Sequence, residues 1–148
     1  VCVLKRSCLA YKKGRVDALP VKSKKTKIRT RYFNYFVIRD KGRIRIRKRT
    51  EKDIWRGLYD FPMVETSKDI SIKEIGKLVA FQVRNPSKPV KHILSHQIIL
   101  ARFWEVDRRS GVKQDLNKDS FYISENQLDK YAFPRLIDLY FKKQLRGS

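Results

Sequence analysis

The stretch that most constrains this chain is Gln97-Ile98-Ile99-Leu100-Ala101-Arg102-Phe103-Trp104. It reads as a strand, and it is apolar at consecutive positions rather than alternate ones. A strand apolar on both faces lies inside a sheet that is covered on each side. Directly before it stands His92-Ile93-Leu94-Ser95-His96, which holds the protein's two histidines around one serine. Small polar groups at the edge of a buried strand are placed by a rigid scaffold. They either cap the strand or present hydrogen-bonding atoms to a ligand.

The remaining elements agree with a sheet-based domain. Tyr32-Phe33-Asn34-Tyr35-Phe36-Val37-Ile38 is rich in aromatic and β-branched residues, and Asp40-Lys41-Gly42 is a turn signal. Arg43-Ile44-Arg45-Ile46-Arg47-Lys48-Arg49 alternates strictly. This pattern predicts a hairpin whose isoleucines face in and whose arginines form a row facing solvent. Ser71-Ile72-Lys73-Glu74 is a capping box that opens a short helix through about Val79. Asn85-Pro86-Ser87-Lys88-Pro89 is a loop leading to His92. Ser124-Glu125-Asn126-Gln127 is a second capping box, with a helix through about Tyr131. Pro134 suits the first turn of a last helix with apolar positions at Leu136, Ile137, Leu139, Tyr140 and Phe141. The order is strand, strand, helix, strands, helix, helix, which is an α+β domain on a mixed sheet.

Charge points to the partner. The 148 residues carry a formal net charge of +21. Residues 1–60 hold 20 Lys/Arg against 5 Asp/Glu, a balance of +15, while residues 61–148 hold 16 against 10, a balance of +6. Such a field suits an anionic partner, with nucleic acid first and an anionic membrane surface second. No apolar run approaches a membrane span, and no signal peptide opens the chain. Between residues 12 and 31 the lysines and arginines are dense and apolar residues are few. That segment reads as a connector, either solvated or tracking phosphates through residues such as Lys24, Lys25 and Lys27. Cys2 and Cys8 are the two cysteines. Their spacing admits a disulfide, two thiols or half of a metal site, and without a secretory signal free thiols fit best. Two thiolates do not satisfy zinc or an iron–sulfur cluster, each of which takes about four ligands.

Trp55-Arg56-Gly57-Leu58-Tyr59-Asp60-Phe61-Pro62 resembles the W-x-G-L-x-x-F-P element of the MutT/Nudix fold. In Nudix hydrolases this element leads into a helix whose several carboxylates hold catalytic metal ions. Here the matching helix reads Ser71-Ile72-Lys73-Glu74-Ile75-Gly76-Lys77, with one acid and two lysines. A divalent ion wants several oxygen ligands, so the fold is expected without a functional Nudix box.

Two further motifs narrow the resemblance to the C-terminal domain of the MutY family of adenine DNA glycosylases. Cys2-x5-Cys8 is similar to the last two ligands of that family's four-cysteine iron–sulfur motif, and His92-x-Leu94-Ser95-His96 to its H-x-F-S/T-H loop, with Leu94 in place of the usual Phe. The resemblance implies two parts. Residues 1–28 would be the end of the cysteine motif and a basic interdomain connector, and residues 29–146 a Nudix-like recognition domain. It implies a monomeric, cytoplasmic, nucleoid-associated bacterial protein of base excision repair. Its partners would be double-stranded DNA bearing an adenine:8-oxoguanine mispair and its own N-terminal catalytic domain. A [4Fe-4S] cluster would be held by Cys2 and Cys8 in the intact protein, with none in this fragment. The fragment itself would carry no catalytic residue. His92, Leu94, Ser95 and His96 would meet DNA or 8-oxoguanine, with weaker phosphate contacts from Lys24, Lys25 and Lys27.

The chemistry of the loop supports that role independently. Guanine offers an acceptor at N7, whereas 8-oxoguanine offers a donor at N7 and a carbonyl at C8. A serine hydroxyl can pair in either sense, so Ser95 is a sensible discriminator. His96 can donate to phosphate, and Leu94 can wedge against a base or sugar. A metal site shared by His92 and His96 is disfavoured, because four residues of extended chain separate them by roughly 13 Å. Two alternatives remain. One is a Nudix-type nucleotide hydrolase. The other is a general nucleic-acid-binding module using the arginine row and the aromatics of residues 32–36.

Overall fold

The computed structural model describes residues 6–16, 27–79, 82–106, 116 and 119–146. In chain order these form α1 (Leu9–Lys12), β1 (Arg29–Asp40), β2 (Arg43–Lys48), β3 (Tyr59–Asp60), β4 (Met63–Thr66), α2 (Ile72–Val79), β5 (Val83–Arg84), β6 (Val90–Ile93), β7 (Gln97–Val106), β8 (Ser120–Ser124), a 3₁₀ helix over Glu125–Lys130 and α3 (Arg135–Arg146). The strands make one mixed eight-stranded sheet in the order β3-β2-β1-β7-β5, with β4 on β1, β6 on β7 and β8 on β2. The α+β, Nudix-like mixed sheet expected from the sequence is thus present.

The two-sided strand is β7, and its partner is β1. The pair is parallel, with Arg29 opposite Gln97 and Ile38 opposite Val106. Along both strands alternate residues enter different cores. Phe33, Tyr35 and Val37 of β1 join Ile99, Ala101 and Phe103 of β7 in one core, which Leu136, Ile137 and Tyr140 of α3 complete. Phe36 and Ile38 join Trp104 and Val106 in the other, with Ile75 of α2 and Ile70. One face of the sheet therefore carries α3 and the other α2, which is why neither strand alternates apolar with polar. Phe103 lies stacked between Tyr140, at a ring separation of 4.0 Å, and Tyr35, at 5.3 Å.

Several expectations need correction. The hairpin of β1 and β2 is short: Arg39 pairs with Ile44 and Asp40 with Arg43, and then the strands diverge. The rest of β1 is already occupied by β7 and β4. The turn itself holds, with Lys41 at φ 47° and Gly42 at φ 74°, as a two-residue turn between twisted strands requires. The second capping box forms no α-helix. Ser124 makes no side-chain cap and the segment is 3₁₀; Glu125, outside the box pairing, meets Arg39 at 3.2 Å.

Beyond Arg43, whose side chain is 52% exposed, the arginine row does not face solvent. Arg45, Arg47 and Arg49 are only 8%, 7% and 4% exposed. Arg31, which the composition placed in the connector, lies in β1 and is 8% exposed. Alternation was real, but beyond Arg43 the outer face is itself covered: Arg45 donates to the Ser120 hydroxyl at 2.7 Å, and Arg47 and Arg49 are matched by carboxylates. Asp60, with no exposed surface, accepts from Arg47 Nε at 2.8 Å and Arg49 Nη1 at 2.7 Å. Arg47 also reaches Glu51 at 2.7 Å, and Arg49 reaches Asp53 at 3.3 Å. Asp53 and Glu65 each take two hydrogen bonds from Arg31, at 2.6–2.8 Å. The result is a continuous chain of four carboxylates and three guanidiniums beneath the W-x-G-L-x-x-F-P segment, with a fully buried carboxylate at its centre.

Removing one partner from a buried ion pair strands the other, which costs about 3–5 kcal/mol. Asp60→Ala is expected to lose about that much in urea unfolding, a large fraction of the roughly 5–15 kcal/mol that stabilises a typical domain. Acid should act through the other end of the network. Hydrogen bonds from Arg31 hold Asp53 down to about 2 and keep Glu65 below its ordinary range. Carboxyls depressed by folding stabilise the fold above their unfolded values of about 4, and that stabilisation is lost as pH falls through the folded values. Melting temperature should therefore drop between about pH 4.5 and pH 2, and the drop should be shallower in Asp53→Asn.

Candidate nucleic-acid interface

The stretch from His92 to His96 is a tight hairpin between β6 and β7. Ile93 pairs with Ile98, and the Leu94 N–H donates to the Gln97 carbonyl at 2.8 Å. That leaves Ser95 and His96 as the two residues of the turn, both exposed. The tip is tied back to β1 by the Arg29 N–H, which donates to the His96 carbonyl at 3.2 Å. A side chain here projects from two strands, one of which, β7, lies inside the sheet next to β1.

The four loop residues divide into two groups. Ser95 and His96 point out from the turn. Leu94 is half-buried and packs against the core shared with α3. His92 is also half-buried, and its ring meets the edge of Trp55 at 5.6 Å. The strand period explains the division, because Val90, His92 and Leu94 share the inward face, while Lys91 and Ile93 are exposed. Ile93 is 68% exposed. The expectation of a Leu94 wedge therefore meets a side chain already engaged in packing.

Around the tip, Lys27, Arg29 and Lys91 are exposed, as is Arg56, which follows Trp55. Lys24, Lys25 and Cys2 lie outside the described residues. Cys8 is a half-buried free thiol at the N-terminal end of α1. Two thiols would supply half of what a four-cysteine cluster takes, and no group of three or more metal-ligating side chains occurs among the described residues.

In α2 the capping box forms as expected. The Ser71 N–H and hydroxyl both donate to Glu74 Oε2, at 2.8 and 2.9 Å, and Lys68 approaches Oε1 at 3.3 Å. Those bonds hold the Glu74 carboxyl down to about 2. The one acid of the helix is thus employed as a cap, and exposed Lys73 and Lys77 flank it.

The sequence did not reveal what stands beneath the hairpin. Trp55 adopts φ 60° and Gly57 φ 86°. The turn between them closes through Gly57 N–H to Arg49 O at 2.8 Å and Leu58 N–H to Trp55 O at 3.0 Å. Trp55 packs edge-on to Phe33 at 6.2 Å as well as to His92. The motif signalled Trp55, but its contact with the histidine stretch needed the three-dimensional fold.

A family model described as NUDIX domain matches residues 34–143. The adenine DNA glycosylase of Buchnera aphidicola subsp. Schizaphis graminum (strain Sg) is 36% identical over 66 residues, which is 45% of this chain and 19% of that protein. The matched region thus spans about a fifth of that relative's length. A MutT protein from Methanosarcina mazei Go1 superposes with a TM-score of 0.59 at 19% identity, covering 84% of this chain and 98% of that one. The C-terminal domain of mouse MUTYH, solved in complex with human PCNA, superposes with a TM-score of 0.53 at 16% identity, covering 80% and 90%. At these identities the superpositions speak to the fold. With a NUDIX domain model matching 110 of its residues, the chain belongs to the NUDIX domain family, and within it resembles the C-terminal Nudix-like domain of adenine DNA glycosylases.

Proposed function

We propose that this chain is the C-terminal recognition domain of an adenine DNA glycosylase of base excision repair. It reads 8-oxoguanine opposite the adenine that an upstream catalytic domain removes, on double-stranded DNA. The observation that carries this reading is the exposed Ser95–His96 turn, set at the start of the interior strand β7 beside Arg29, with Lys27 and Lys91 exposed on the flanking segments. Ser95 takes the base edge, through N7–H or O8, and His96 donates to a neighbouring phosphate. Residues 1–28 act as the connector, with Lys24, Lys25 and Lys27 on phosphates. Cys2 and Cys8 are two of four ligands to a [4Fe-4S] cluster in the intact protein.

The two alternatives are weaker. For hydrolysis of a nucleotide, α2 offers only Glu74, already bonded to Ser71 and Lys68. For a general nucleic-acid platform, Arg45, Arg47, Arg49, Phe33, Tyr35 and Phe36 would have to be accessible, and all are buried.

Ser95→Ala in the full-length protein is expected to lower the preference for adenine opposite 8-oxoguanine over adenine opposite guanine by about tenfold, since one well-placed bond is worth roughly 1–3 kcal/mol. Single-turnover rates on the two mispairs measure it. An unchanged ratio in Leu94→Ala/Ser95→Ala/His96→Ala, with a wild-type melt, would assign the reader elsewhere. Neutralising Lys24, Lys25 and Lys27 together should flatten the dependence of log affinity on log salt by up to about 3 units, because each phosphate contact releases a counterion.

A further inference from the structure

The hairpin that presents Ser95 is anchored through β7, which ladders to β1 from Gln97 onward, whereas β6, which carries His92, is four residues long and pairs with β7. The tip lies at the end of that ladder, where the Arg29 N–H donates to the His96 carbonyl at 3.2 Å. Beneath it stands Trp55. Its ring meets His92 at 5.6 Å with 61° between planes, and Phe33 at 6.2 Å with 78°. Both are edge-to-face arrangements, which favour a defined ring orientation.

Trp55 occupies this place at a conformational cost. Its φ of 60° lies in the left-handed region, which bulky residues rarely adopt and where Gly or Asn would be relaxed. Such strain persists where the surroundings over-determine it. Here the turn is closed by two backbone bonds, and Asp53, two residues earlier, is clamped by Arg31 at 2.6 and 2.7 Å. The buried ion network thus holds the turn, the turn holds the indole, and the indole meets the inward face of the hairpin.

We infer that Trp55 is a positioning residue for base discrimination, which acts through His92 to set where Ser95 sits. This rests on the recognition reading above. A hydrogen bond weakens steeply with angle and distance, so a hairpin that rocks on its sheet keeps its fold while losing its preference between two bases. His92 thereby has a role that needs no contact with DNA. The half-buried face it shares with Leu94 is the supporting side of the loop, and Ser95 and His96 are the reading side.

The test uses the full-length protein and single-turnover rates on duplexes with adenine opposite 8-oxoguanine or guanine. Trp55→Gly removes the indole and relaxes the backbone. It should lower the ratio of rates by about tenfold, close to Ser95→Ala, because the same bond is lost. The rate opposite guanine should change less than about twofold, since guanine has no O8 for the Ser95 hydroxyl to reach. Trp55→Phe keeps a ring edge and should recover most of the ratio. Trp55 and His92 should behave as one unit, so that Trp55→Gly/His92→Ala is no worse than the poorer single variant. A wild-type ratio in Trp55→Gly, with Ser95→Ala impaired, would overturn the inference and leave the recognition reading intact. Wild-type ratios in both would overturn both. Equal loss on the two mispairs, tracking a lowered melting temperature, would make Trp55 a stability residue and overturn the inference. If Trp55→Gly does not fold, His92→Ala decides: an unchanged ratio overturns the inference.

Discussion

Asp60 is the constraint on which the rest of the structure depends. A carboxylate with no exposed surface is tolerable only if its charge is matched and its lone pairs are filled. Burial pushes its carboxyl up, and the guanidiniums of Arg47 and Arg49 pull against that. Both come from β2 and the residue just beyond it, while Asp60 itself comes from β3, so satisfying one charge fixes the register of two strands. The same arginines reach Glu51 and Asp53, and Arg31 extends the pairing to Glu65 of β4. A basic protein has thus used some of its strongest cations as internal struts.

This division of labour clarifies the high charge. The buried network matches three arginines with four carboxylates, so the +21 excess lies outside it. The lysines and arginines that remain exposed near the hairpin include Lys27, Arg56 and Lys91, and Arg29, which also approaches Glu65 at 3.8 Å. The surface field is therefore organised by where carboxylates are absent. Glu74 makes the same point on α2, where the one acid is drawn into the helix cap between two lysines.

Much of this was legible in the chain. The unbroken apolar run of β7 announced a strand with two covered faces, and both the α2 capping box and the last helix formed as read. The arginine row was misread because a period of two reports only that two faces differ. It does not say which face is wet, and the acids that cover the row lie up to 13 residues away in sequence, as between Arg47 and Asp60. The second capping box did not form: Ser124 makes no side-chain cap and the segment is 3₁₀. At the hairpin, the sequence identified the polar residues at the tip. The division into supporting and reading sides depended on strand parity and on Trp55, 37 residues before His92 (92 − 55).

The parallel pairing of β1 with β7 has a consequence for how the domain reaches this state. Arg29 lies opposite Gln97, 68 residues on (97 − 29), so this ladder closes a long loop before it returns any stabilisation. The β6–β7 hairpin, by contrast, closes over a two-residue turn. Local contacts form early and non-local ones set the rate. The turn of the hairpin can therefore close before β1 arrives beside it, although the strands need that ladder to persist. Until then the apolar edge of β7 is open to pairing with any other strand, including one from a second chain, and the hazard of misassembly is concentrated in that interval.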